Sequence, residues 1–110
     1  MQNKQYLSLL GLARRAGRLA MGHDTVLDSI KKRKAKLLLF SSDISDRLIE
    51  EVSRATDVFC PNVPCFRISE TMEEIHLALG YKAGVIAVND VNFANRMTEL
   101  INQEENEYGD

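Results

Sequence analysis

Leu37-Leu38-Leu39-Phe40-Ser41-Ser42-Asp43 is the stretch on which the fold turns. Its first four residues are apolar without alternation, and no apolar run in the chain is longer. A strand with one wet face alternates apolar and polar residues. An unbroken short run therefore predicts a strand covered on both faces, of the kind found in parallel sheets. Ser41-Ser42-Asp43 ends it with residue types that turn the chain and cap a following helix. A strand covered twice needs helices on both sides of its sheet.

The flanking sequence supplies them. Upstream, Gly22-His23-Asp24-Thr25 places a glycine and N-cap residue types before a helix with Val26, Leu27 and Ile30 inward, ending in Lys31-Lys32-Arg33-Lys34. Before it, Arg18 to Met21 reads as a short first strand. A first helix is predicted from Lys4 to Ala16, with Tyr6, Leu9, Leu10, Ala13 and Ala16 on one face and Gly17 placed to stop it. Downstream, a third helix starts at Ser45 or Asp46 with Leu48, Ile49, Val52 and Ala55 inward. Pro61 to Pro64 is a turn, Cys65 to Ile68 a strand, and Thr71-Met72-Glu73-Glu74 a capping box that opens a fourth helix containing His76. Gly80 to Gly84 is a loop, Val85 to Val88 a fourth strand, and Asn89 or Asp90 caps a last helix striped by Phe93, Met97, Leu100 and Ile101. Five helices alternating with about four strands call for an α/β protein, a three-layer α/β/α sandwich.

The 110 residues suit a single domain, expected over residues 1–102, followed by a tail, 103–110, with four acids and no base that should fray. No run approaches the ~20 apolar residues that cross a bilayer, and the start lacks a signal-peptide core. A cytoplasmic protein without a membrane partner is expected, and a monomer. The net charge of −2 conceals an asymmetry: residues 1–36 hold nine Lys and Arg against Asp24 and Asp28, a net of +7, and the remainder carries −9. Such a division favours a polyanionic partner for the basic part. Cys60 and Cys65, four residues apart, match no zinc or redox spacing, and with His23 and His76 as the remaining soft ligands no metal and no disulfide are expected.

Ser41-Ser42-Asp43 and Asn89-Asp90 lie just beyond strands, where α/β enzymes place catalytic groups. The same residues cap helices, however, and no histidine is near either in sequence to activate a serine. Glycine-rich phosphate loops and HExxH are missing, so neither a catalytic residue nor a cofactor is expected. A binding role is better supported. Gly22 opens a helix whose first N–H groups and positive dipole end are bare, and it brings no side chain to block approach. Arg14, Arg15 and Arg18 precede it. The Lys31–Lys36 cluster follows about 15 Å away along the helix, so that only Lys31, its leading edge, is assigned to the same surface.

The block Leu10-Gly11-Leu12-Ala13-Arg14-Arg15-Ala16-Gly17-Arg18-Leu19, then Gly22, then Lys34 to Leu39 through Ser42-Asp43-Ile44-Ser45, resembles the bacterial YlxQ-type proteins of the ribosomal L-seven-Ae and L-thirty-e superfamily. The likeness continues through Asn62-Val63-Pro64 and Val85 to Ala94. It implies a three-layer fold with a four-stranded mixed sheet, no catalysis, and RNA binding, commonly to kink-turns with tandem sheared G·A pairs. The partners it implies are ribosomal RNA or another kink-turn-like structured RNA, with the ribosome or translation factors nearby. Members that bind kink-turns well have, after the glycine, one variable residue, Asn-Glu, two more, then Lys. Here Gly22 fits and His23 is variable, while Asp24, Thr25 and Asp28 replace Asn, Glu and Lys. An ionised Asp only accepts hydrogen bonds, and an acid in place of Lys repels phosphate. The family's second contact region falls on Gly80 to Gly84, where Tyr81 can stack on a base and Lys82 meet a phosphate. The lost Asn, Glu and Lys motivate an alternative, a protein-interaction module that kept the fold but lost kink-turn binding.

Overall fold

The computed structural model describes the backbone of residues 5–108 and the side chains of residues 5–103. The elements are α1 (Gln5–Arg15), β1 (Leu19–Met21), α2 (His23–Lys31), β2 (Leu37–Phe40), α3 (Asp46–Phe59), β3 (Cys65–Arg67), α4 (Met72–Leu79), β4 (Val85–Val88) and α5 (Val91–Tyr108). The expected start of the first helix at Lys4 lies outside the described residues. The caps read at α3, α4 and α5 form: the Leu48 N–H donates to Ser45 Oγ, Thr71 and Glu74 form the reciprocal capping box, and the Phe93 N–H donates to Asp90 Oδ1, whereas α2 opens on Gly22 without a side-chain cap.

The strands form one sheet in the order β1-β4-β2-β3. β4 is antiparallel to β1 and to β2, while β3 runs parallel to β2. The α/β sandwich is thus built on a mixed sheet. The apolar run at Leu37–Phe40 is buried throughout, as is Val85–Val88, but an unbroken run reports two covered faces and not the direction of the partners. Side chains alternate strictly between the faces. Met21, Leu37, Leu39, Ile86 and Val88 meet Tyr6, Leu10, Ile75, Leu79 and Met97 of α1, α4 and α5. Ala20, Leu38, Phe40, Val85 and Ala87 meet Val26, Ile30 and Val52 of α2 and α3 on the other side. A buried hydrogen bond of 2.5 Å from the Tyr6 hydroxyl to Glu70 Oε1 ties α1 to the connection between β3 and α4.

Some positions differ from the sequence reading. Ala16 lies past the end of α1 and is exposed. His76 is half exposed, 3.9 Å from the Glu73 carboxylate, because the inward residues of α4 are Ile75 and Leu79. The expected frayed tail continues α5 as far as Tyr108, since Gln103 to Glu107 holds no Gly or Pro to stop a helix, and Gly109 and Asp110 lie outside the described residues. The two thiols are free: Cys60 is buried with its Sγ 3.4 Å from the Ile30 carbonyl, and Cys65 is exposed on the sheet edge.

Helices α1 and α2 end in the same hydrogen-bonded motif with different residues. At α1 the Gly17 and Arg18 N–H groups donate to Arg14 and Ala13, and Gly17 takes φ 73°. At α2 the Arg33 and Lys34 N–H groups donate to Ile30 and Ser29, and the left-handed position falls to Arg33, at φ 59°. Glycine adopts this conformation freely, whereas a residue with a Cβ is strained there.

Arg33→Gly should therefore raise stability by about 0.5–1 kcal/mol, the strain relieved less the added freedom of the unfolded chain. A thermal melt with an unchanged or lower midpoint would contradict this. The Cys65 thiol is pushed up from its ordinary range by desolvation and by the Asp57 carboxylate. A thiol reagent at neutral pH should label the folded protein slowly at Cys65 only, faster as pH rises, with Cys60 reacting on unfolding. Rapid labelling of both thiols in the native state would refute that.

Candidate nucleic-acid interface

Strand direction decides which loops meet. β1, β2 and β3 all run one way and β4 the other, so the ends of the first three and the start of β4 lie at one pole of the sheet. The Gly22 N–H donates to the Val85 carbonyl, the Ser41 N–H to Gly84 and the Ser42 N–H to Glu70, which stitches four connections together there. Arg67 adds hydrogen bonds from its guanidinium to the carbonyls of Ser42 and Ile44. The Met72 N–H donates to Asp43 Oδ1 and holds that carboxyl below the ordinary carboxylate range. This tether is complete above the ordinary carboxylate pKa and is lost as pH falls through the lowered value.

Gly22 sits at φ 95°, ψ 164°, a conformation essentially restricted to glycine, and it provides no side-chain cap. The first-turn N–H groups of His23, Asp24 and Thr25 are therefore left for solvent or a ligand. Tyr81, from the loop after α4, covers the glycine: a Cβ built on Gly22 would lie 3.7 Å from the Tyr81 hydroxyl oxygen and 3.9 Å from its ring. A Cβ would meet Tyr81 only at ordinary van der Waals distance, so it is the backbone conformation that requires glycine here. Tyr81 remains 47% exposed, leaving ring surface for a partner. From α1, the Arg14 guanidinium reaches to 4.0 Å of the corresponding position on Gly80, the residue before Tyr81. One pole thus joins a bare helix start, an aromatic ring and a cation from three separate elements.

Carboxylates crowd the same pole. Asp24 is almost fully exposed with Oδ1 3.3 Å from His23 Nδ1, and Glu51 Oε1 of α3 lies 2.9 Å from His23 Nε2. Glu51 was not singled out from the sequence, since no local pattern links residues 23 and 51. Asp28 pairs with Lys32 at 3.1 Å, and Lys82 stands 3.9 Å from Glu73. Thr25 is exposed in the first turn of α2. Arg15 folds back along α1, its Nη1 3.9 Å from a Cβ built on Gly11.

Two of the sequence-nominated cations are elsewhere. The Asn89 N–H donates to the Arg18 carbonyl, so Arg18 leads into β1 at the opposite pole, about 13 Å from Gly22 at strand rise, and its Nε lies 4.0 Å from Asp90. Lys31 ends α2 and belongs to that pole as well. Among the described residues no cluster of His, Cys, Asp and Glu could hold a metal ion, and no helix is long and apolar enough to cross a membrane.

A layered α/β/α domain on a four-stranded mixed sheet is the architecture that the sequence resemblance implied. The chain belongs to the Ribosomal protein L7Ae/L30e/S12e/Gadd45 family, whose profile matches residues 4–97. It is similar to the RNA-binding protein YlxQ of Bacillus subtilis (strain 168), at 31% identity over 102 residues, 92% of this chain and 99% of that protein. It is also 32% identical over 95 residues to the RNA-binding protein YlxQ of Enterococcus faecium, 86% of this chain and 89% of that one. Among solved structures, a protein with unknown function from Bacillus halodurans C matches with a TM-score of 0.81 at 26% identity, covering 91% of this chain and 99% of that chain.

Gly22→Ala should destabilise the fold by about 1–3 kcal/mol, the strain of a side chain in that backbone region. Urea denaturation is the check, and a variant as stable as the parent would mean that the turn does not depend on glycine.

Proposed function

We propose that this protein binds structured RNA through the pole where Gly22, Tyr81 and Arg14 meet. The supporting observation is the approach of Tyr81 to Gly22, which sets a half-exposed aromatic ring beside the unfilled N–H groups of α2. Such a pairing accommodates an RNA in which a base has left its stack: the base lies on the ring, a phosphate or base edge meets the helix start, and Arg14 neutralises a neighbouring phosphate. Kink-turn or ribosomal RNA fits this description, and the role is that of a ribosomal-type accessory protein in the cytoplasm, acting as a monomer without catalysis or cofactor. The YlxQ relatives, described as RNA-binding proteins, support the same reading.

A second reading is a protein-contact module that retained the fold. The carboxylates of Asp24 and Glu51 beside Gly22 favour it, because each opposes a phosphate.

The two separate in a salt-dependent binding assay with a kink-turn RNA and an unkinked hairpin. Tyr81→Ala should weaken kink-turn binding by about 1–3 kcal/mol, the usual worth of one stacked base. Arg14→Ala should weaken both RNAs and flatten the dependence of log affinity on log salt by about one unit. Arg18→Ala, at the far pole, should leave kink-turn binding as it was. Asp28→Lys both adds a cation and releases Lys32, and should strengthen binding by about 1–3 kcal/mol at low salt and less at high salt. Asp24→Asn restores an amide donor and should raise the preference for the kink-turn over the hairpin. Failure of the Tyr81, Arg14, Asp28 and Asp24 variants alike to change RNA binding would leave protein contact as the better account.

A further inference from the structure

The positive charge of the first third of the chain is concentrated away from Gly22. Lys31, Arg33, Lys34 and Lys36 are exposed at the end of α2 and the start of β2, and among the described residues none forms an ion pair, whereas Lys32 pairs with Asp28. Cations at a helix C-terminus complement its dipole, and that alone would explain a lysine or two. Two further features go beyond it. Arg33 holds the left-handed position that glycine fills in the matching motif of α1, so a long cationic side chain is kept where the backbone favours none. Arg33 and Lys36 also line a groove of about 340 Å³, together with Pro61, Asn62, Pro64 and Val91. Val91 is 53% exposed although apolar.

We propose that this pole is a second RNA-contact surface that takes an unpaired nucleotide segment, with phosphates on Lys31, Arg33, Lys34 and Lys36 and one base in the groove beside the Asn62 amide. The choice of RNA as the polyanion rests on the function proposed above. Four unpaired cations within six residues match a backbone that carries a charge on every unit, and an apolar recess with one amide between them suits a flat base with a polar edge. The groove is of a size that takes a small ligand. Because the two poles lie at opposite ends of α2, a single molecule would hold a structured element at one and a single-stranded segment at the other.

The test uses the full chain with two labelled probes, a kink-turn RNA and a decauridine. The double variant Lys34→Glu/Lys36→Glu should weaken decauridine binding about tenfold at low salt and reduce its salt slope by about 1.4, at ~0.7 per single-strand phosphate contact, with kink-turn affinity unchanged. Tyr81→Ala should do the reverse, and saturating kink-turn RNA should not displace decauridine. Arg33→Gly should lower decauridine affinity while raising Tm, which separates a binding role from a structural one. Displacement of decauridine by the kink-turn, or decauridine binding that is absent or indifferent to Lys34 and Lys36, would overturn this proposal and spare the reading of the Gly22 pole. Loss of kink-turn binding with decauridine binding still dependent on those lysines would do the opposite. A decaglutamate peptide that binds more tightly than decauridine would also overturn it, in favour of a protein partner.

Discussion

β2 and β4 pair antiparallel along their whole lengths, Leu37 against Val88 through Phe40 against Val85, and every one of these eight residues is buried. Each large apolar side chain so placed contributes about 1.5–3 kcal/mol, and truncating one to alanine costs about 2–5 kcal/mol. No exposed ion pair in this protein approaches that, since such pairs are worth about 0–1 kcal/mol. The pairing also sets direction. With β1 and β3 both running parallel to β2, the connections after three strands and before the fourth open at one pole. Gly22 and Tyr81 are neighbours because β1 and the start of β4 are neighbours, not because anything local draws a residue at 22 to one at 81.

From this follows a division of charge along the molecule. The Gly22 pole holds Arg14 and Lys82 among Asp24, Glu51, Asp43 and Glu73, whereas the opposite pole gathers Lys31 to Lys36 around the groove at Pro61 to Pro64. A net charge of −2 is uninformative here, because what a polyanion meets depends on which pole it approaches. The turn proposed to face RNA and the basic run Lys31 to Lys36 lie at different ends of α2.

How much was legible in the sequence depends on the range of the interaction concerned. The elements, most of their caps and the two covered faces of Leu37–Phe40 are local or periodic, and they were read with boundaries within a residue or two, save the end of α5, which runs on to Tyr108 through the expected tail. The direction of the strands is not local, and neither is the placement of a cation at one pole or the other. Arg18 looks close to Gly22 along the chain, yet a strand of three residues carries it to the far end, and Lys31 is separated in the same way by a helix. The family resemblance named the loop holding Tyr81 as a second contact region, but its contact with Gly22 was not read from the sequence. The contact of His23 with Glu51 crosses between two helices and left no trace in either segment.

The most direct test of the account follows backbone amide shifts while a kink-turn RNA is added to the protein. The amides of Gly22, His23, Asp24, Tyr81 and Lys82 should move together and saturate at one equivalent, with those along the outer face of α3, such as Arg47, Glu50 and Arg54, unmoved. Shifts confined to α3, or none at the Gly22–Tyr81 contact at saturating RNA, would contradict the claim that the strand order of this sheet builds the RNA-binding surface.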